Sequence, residues 1–67
     1  MTRNEIYEKL QYGDYQLIAQ KTGRNHKTVR SQLAGWRTLK DDVRDAAIEL
    51  ITVREKLNAE FLNQNNI

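Results

Sequence analysis

Three glycines, Gly13, Gly23 and Gly35, are the only residues in this proline-free chain that interrupt a helix strongly. Glycine costs about 1 kcal/mol inside a helix and proline about 3. The glycines therefore cut the sequence into three short runs and one long one, and residues 36–67 contain neither breaker. No run alternates apolar and polar residues over the length of a strand. The expected class is all-α, with three short helices followed by a long C-terminal one.

Each run carries its own start and stop signals. Residues 2–11, "TRNEIYEKLQ", predict a first helix. Thr2 and Glu5 fit a capping box, and Ile6 and Leu10 share one face with Tyr7 beside them. Asp14 is the expected N-cap of a second helix, 15–22, whose apolar positions are Tyr15, Ile18, Ala19 and Thr22. Asn25 is the expected N-cap of a third, 26–34, with Val29 and Leu33 as its buried pair. Gly23 and Gly35 end these two helices, because the residue after a helix often needs a positive φ. The fourth helix is expected over 39–63, capped by Thr38, with Asp41, Asp42 and Asp45 in its first turns where the dipole favours acids. Val43, Ala46, Ala47, Ile48, Leu50 and Ile51 give it a wide apolar surface. Further on this narrows to a seam of Leu50, Val53, Leu57 and Phe61. Residues 64–67 are expected to be a frayed tail, so the domain spans 1–63.

Size and composition limit the rest. A chain of 67 residues is expected to form one domain with a small core. It has no cysteine, so disulfides and cysteine-based zinc sites are excluded. Stability must come from regular helices or from self-association. A helix of some 24 residues, roughly 36 Å long, is too long for three short ones to cover. The seam Leu50, Val53, Leu57, Phe61 is therefore expected to make a homodimer, with a place in the intramolecular core as its plainer alternative. There is no apolar run of membrane-spanning length, and a soluble cytoplasmic protein is expected.

Charge is unevenly placed. Net charge is only +2, yet residues 1–40 hold eight Lys or Arg against three acids, and residues 41–67 hold three against six. From Lys21 to Lys40 there are six basic residues and no acid. That asymmetry points to a polyanionic partner, with a solvated basic face as the plainer alternative.

The basic stretch coincides with a recognisable unit. A helix, a short glycine turn and a second helix make a helix-turn-helix. Ala19 provides the small residue at the crossing, Gly23 the turn, and Val29 the buried anchor of the second helix. His26, Lys27 and Arg30 then occupy the exposed N-terminal face that could reach base edges, as does Asn25 unless it is occupied in capping. "IAQKTGRNHKTVRSQLAG" resembles the helix-turn-helix of bacterial and phage repressors, most nearly the lactose-repressor-type headpiece. Ile18, Ala19, Gly23, Thr28, Val29, Leu33 and Gly35 fall on matching positions, over about 20 of the 67 residues. The compact all-helical plan around it is similar to the lambda-repressor and Cro class. The resemblance implies base contacts from His26 and Lys27, and from Arg30 or Ser31 one turn on. It implies phosphate contacts from Asn25, Thr28, Tyr15 and Gln16. The chain departs from the pattern at Arg24 and Gln32, where the family has aliphatic or apolar residues. It also departs after Gly35, where a continuous helix replaces the hinge segment.

Competing sites are weak. Asp41, Asp42 and Asp45 in "DDVRD" are spaced like a Mg²⁺ cluster, but helix-start capping is the expected role. His26 is the only histidine, and Ser31 has no matched base and acid. Neither enzyme activity, metal, cofactor nor small-molecule ligand is expected. Trp36 is expected to cover the core, with a place on a sugar-phosphate backbone beside Arg37 as its alternative. The expected function is sequence-specific binding of double-stranded DNA by a repressor-type homodimer. Asn25, His26, Lys27 and Arg30 would lead into the major groove, and Lys21, Arg24, Arg37 and Lys40 would sit on phosphates. The alternative is a helix-turn-helix fold used for protein contact, such as an antitoxin or a phage factor docking on a host protein.

Overall fold

The computed structural model describes residues 1–65 and contains four helices and, among those residues, no strand. They are α1 (Arg3–Lys9), α2 (Asp14–Thr22), α3 (His26–Ala34) and α4 (Asp41–Asn65). The molecule measures 45 × 22 × 19 Å, and α4 supplies the long dimension. No helix among the described residues is long and apolar enough to cross a membrane.

Local chemistry sets most of the boundaries. The capping box forms as expected: Thr2 Oγ1 accepts from the Glu5 N–H at 3.2 Å, and the Glu5 carboxylate accepts from the Thr2 N–H at 3.4 Å. α1 ends at Lys9, earlier than expected, because Leu10 turns to extended backbone. α2 and α3 both stop at glycines in the left-handed region, Gly23 at φ +71° and Gly35 at φ +94°. After Gly35 the Trp36 N–H donates to the Ser31 carbonyl at 2.9 Å and the Gly35 N–H to Gln32 at 3.3 Å. That is the Schellman pattern.

Two expected caps are corrected. The N-cap of α2 is Gly13, which makes no side-chain cap, and Asp14 lies inside the helix. Asp14 is buried instead, its carboxylate accepting from the Gln11 N–H at 2.6 Å and from Arg54 of α4 at 2.5 Å. The start of α4 is set by Lys40, not Thr38: the Lys40 carbonyl accepts from the Arg44 N–H at 3.0 Å. The Lys40 N–H in turn donates at 3.1 Å to Oε1 of the buried Gln32, which holds the connection outside the helix. At its other end α4 runs to Asn65, two residues beyond the expected end. Residues 66 and 67 of the expected tail lie outside the described residues.

The core is one cluster built by all four helices. Ile6 comes from α1, Tyr15, Ile18 and Ala19 from α2, Val29 and Leu33 from α3, and Val43, Ala46, Ala47 and Ile51 from α4. At about 25 cal/mol per Å² of apolar surface, each fully buried aliphatic side chain contributes roughly 1.5–3 kcal/mol. Only the first half of α4 takes part. Its second half leaves Val53, Leu57, Phe61 and Leu62 between 49 and 64% exposed.

Candidate nucleic-acid interface

The turn between α2 and α3 is short because Gly23 reverses the chain in one residue. The Gly23 and Arg24 N–H groups both donate to the Ala19 carbonyl, the latter at 3.1 Å. Asn25 then caps α3, its Oδ1 accepting from the Lys27 N–H at 2.8 Å. That oxygen is committed to the helix, so a base contact from Asn25 has only the NH₂ group to offer.

α3 divides cleanly into faces. Val29, Gln32 and Leu33 are buried, whereas Lys27 and Arg30 are exposed. His26, Thr28 and Ser31 are half-buried at the margin. The His26 ring stands edge-on to Tyr15, with centroids 6.3 Å apart. Tyr15 is therefore a core residue, and the phosphate contact expected of it is corrected. Burial raises its hydroxyl's pKa above the ordinary tyrosine value. Gln16 remains exposed at the start of α2.

The cations separate into two groups. Lys9, Lys21, Arg24, Arg44 and Arg54 all pair with acids, most of them reaching across to α4. Arg24 binds Asp42 with two hydrogen bonds, of 2.8 and 3.1 Å, and Lys21 pairs with Glu49. These two expected phosphate holders are thus engaged inside the molecule, as α2–α4 and turn–α4 ties. The hydrogen bond from Arg24 holds the Asp42 carboxyl below the usual carboxylate range. Asp41 and Asp45 flank Arg44, so each acid of "DDVRD" faces a basic side chain. Among the described residues Arg3, Lys27, Arg30, Arg37, Lys40 and Lys56 form no ion pair. Arg3 donates to the Leu33 carbonyl and Lys56 lies on α4, and the other four lie on α3 or on the segment that follows it.

No protein-family model, curated protein or solved structure matches the chain. Its function has to be argued from its own residues.

Trp36 corrects another expectation. It is 85% exposed and contributes nothing to the core. It instead lines a shallow cleft with Tyr7, Arg30, Ser31 and Ala34, beside the free Arg37. Arg3 is a participant the sequence reading passed over. Its guanidinium donates to the Leu33 carbonyl at 3.0 Å and lies over Gly35, so it finishes the C-terminus of α3 from 30 residues away. No local pattern advertises that contact. Arg30 and Trp36 thus share one cleft, and Lys27, Arg37 and Lys40 are exposed on the same helix or on the segment after it.

Proposed function

We propose that the chain is a sequence-specific double-stranded DNA-binding protein of the repressor type, acting as a homodimer in the cytoplasm. The observation that carries this reading is the separation of cations. Those elsewhere in the helical body are mostly neutralised by pairing, while those of α3 and its C-terminal flank are exposed and unpaired. A surface of that kind suits a polyanion. Its rod is one short helix presented at a glycine turn, the shape that enters a major groove. In this reading Lys27 and Arg30, with His26 and Ser31 at the margin and the Asn25 NH₂ group, read base edges. Arg37, Lys40, Gln16 and Thr28 hold the backbone. No catalytic step is part of it.

Selection of bound duplexes from a random library tests the proposal. Wild type should enrich one motif, and Lys27→Ala should enrich a changed or relaxed one, because losing a bidentate base contact costs about 1–3 kcal/mol of discrimination. With Arg37 and Lys40 of each copy on phosphates, the log–log salt slope of a dimer should be about −4. A slope near zero, with no enriched motif, would overturn the reading. A protein-docking role is the second reading, favoured by the exposed apolar residues of α4. It differs in tolerating Lys27→Ala together with Arg30→Ala.

A further inference from the structure

We infer that two copies of this chain pair through antiparallel second halves of α4, each placing its Phe61 in a groove between α2 and α4 of the other. The inference rests on the homodimer reading above and adds its surface and direction. Leu50, Val53, Leu57 and Phe61 lie within an arc of about 80° on α4, at 100° per residue. Their spacing of three, four and four residues averages 11/3, close to the period of a straight helix, so the seam suits nearly straight pairing.

Direction follows from what already covers this face. The arc continues the stripe on which Val43 and Ala46 are buried. A parallel partner following the stripe toward the N-terminus of α4 would run into α1–α3. An antiparallel partner, coming from the other end, carries its own body away from them. In the antiparallel register Leu50 meets the partner's Phe61 and Val53 meets the partner's Leu57, with the reciprocal pairs on the other side of the axis. Every seam residue then has an apolar neighbour.

The landing place of Phe61 is already shaped. Beside Leu50 lies a groove of about 170 Å³ lined by Leu17, Ile18, Ala46 and Val53, with Lys21 and Glu49 at its edge. Leu17 is 52% exposed there, although its neighbour Ile18 is buried. The same register brings the partner's Glu60 toward the Lys21–Glu49 pair, so that Lys21 stands between two acids. Leu17, Val53, Leu57 and Phe61 are about half exposed or more, on the order of 400 Å² of apolar surface per chain and about 800 Å² per pair, which with the flanking polar side chains makes an interface at the small end of the specific range. An apolar patch of this extent matches the largest on a typical monomer, which is often a functional surface.

Sedimentation and cross-linking of the full chain test this. Wild type should be dimeric at tens of micromolar. Phe61→Glu and Leu17→Glu should each be monomeric with unchanged helical content, and Leu17 is informative because it is not on α4. The chain has no cysteine, so single cysteines report register. A short bismaleimide should join Lys56→Cys chains, which meet at the two-fold axis, and spare Glu49→Cys chains, about 20 Å apart along the pair. A Leu17→Glu protein that stays dimeric overturns the groove. Equal cross-linking at both positions overturns the antiparallel direction. A monomeric wild type overturns the dimer altogether, while the library selection still reads DNA binding by itself.

Discussion

At the scale of single residues, the two turn glycines look alike in sequence and differ in what surrounds them. Gly23 has open space where a Cβ would be, whereas a Cβ on Gly35 would lie 2.7 Å from Cζ of Arg3. Both need a positive φ, for which a non-glycine residue pays about 1–2 kcal/mol. Gly23→Ala should therefore lose about 1 kcal/mol in denaturant unfolding. Gly35→Ala should lose roughly 2, since Arg3 must also leave the Leu33 carbonyl, a hydrogen bond contributing about 1 kcal/mol. A double-mutant cycle isolates the second part. In an Arg3→Ala background the cost of Gly35→Ala should fall to that of Gly23→Ala. Equal costs in both backgrounds would remove Arg3 from the account. The need for glycine at both positions was legible in sequence because helix termination is local. Arg3, 30 residues from its acceptor, was not. Trp36 misled for a related reason: large apolar residues usually bury, but the core is already closed by Leu33 and Val43.

At the scale of helices, pairing of α2 with α4 depends on charge as well as on apolar packing. The Ile6, Ile18, Val29, Leu33 and Ala47 positions could be read from helical spacing, since each helix writes its own buried stripe. The polar ties could not, because their partners lie far apart in sequence. Gln32 occupies a site where the resembled family has an apolar residue, and it is nevertheless buried, since its amide oxygen serves the Lys40 N–H. Asp14 reads as a cap and is in fact the buried half of an ion pair with Arg54, 40 residues on. Burial opposes its charge, but the Arg54 hydrogen bond, the Gln11 N–H and the Arg54 charge outweigh it and hold its pKa below the ordinary carboxylate value. A carboxyl depressed in the folded state stabilises that state above the unfolded pKa of about 4, and the contribution is lost as pH falls through the folded value. Thermal midpoints should therefore drop below about pH 4. Asp14→Asn should lower stability at pH 7 and flatten the acid limb. Arg54→Met at pH 7 strands the carboxylate and should cost about 3 kcal/mol. An acid limb unchanged in Asp14→Asn would show that other carboxyls set it.

For the whole molecule, the antiparallel pair and the DNA reading constrain each other. With the two-fold axis between residues 55 and 56, Ala46 of one copy lies about 28 Å from the partner's Ala46 along the pair, at 1.5 Å per residue. Ala46 belongs to the core, so in the proposed pair the two bodies stand nearer to one turn of B-DNA apart, about 34–36 Å, than to two. Half-sites should therefore be centred about 10 base pairs apart. Inserting five base pairs turns one half-site to the opposite face of the duplex. Binding should then fall to that of a single half-site, about 100-fold weaker, because the second contact is no longer intramolecular. Trp36 is the only tryptophan and lies at the edge of the proposed interface, so its fluorescence gives a titration without a label. Unchanged affinity after the five-base-pair insertion would mean that the bodies are not held at a fixed distance, and the rigid pairing of α4 would fail even if each copy still read its half-site.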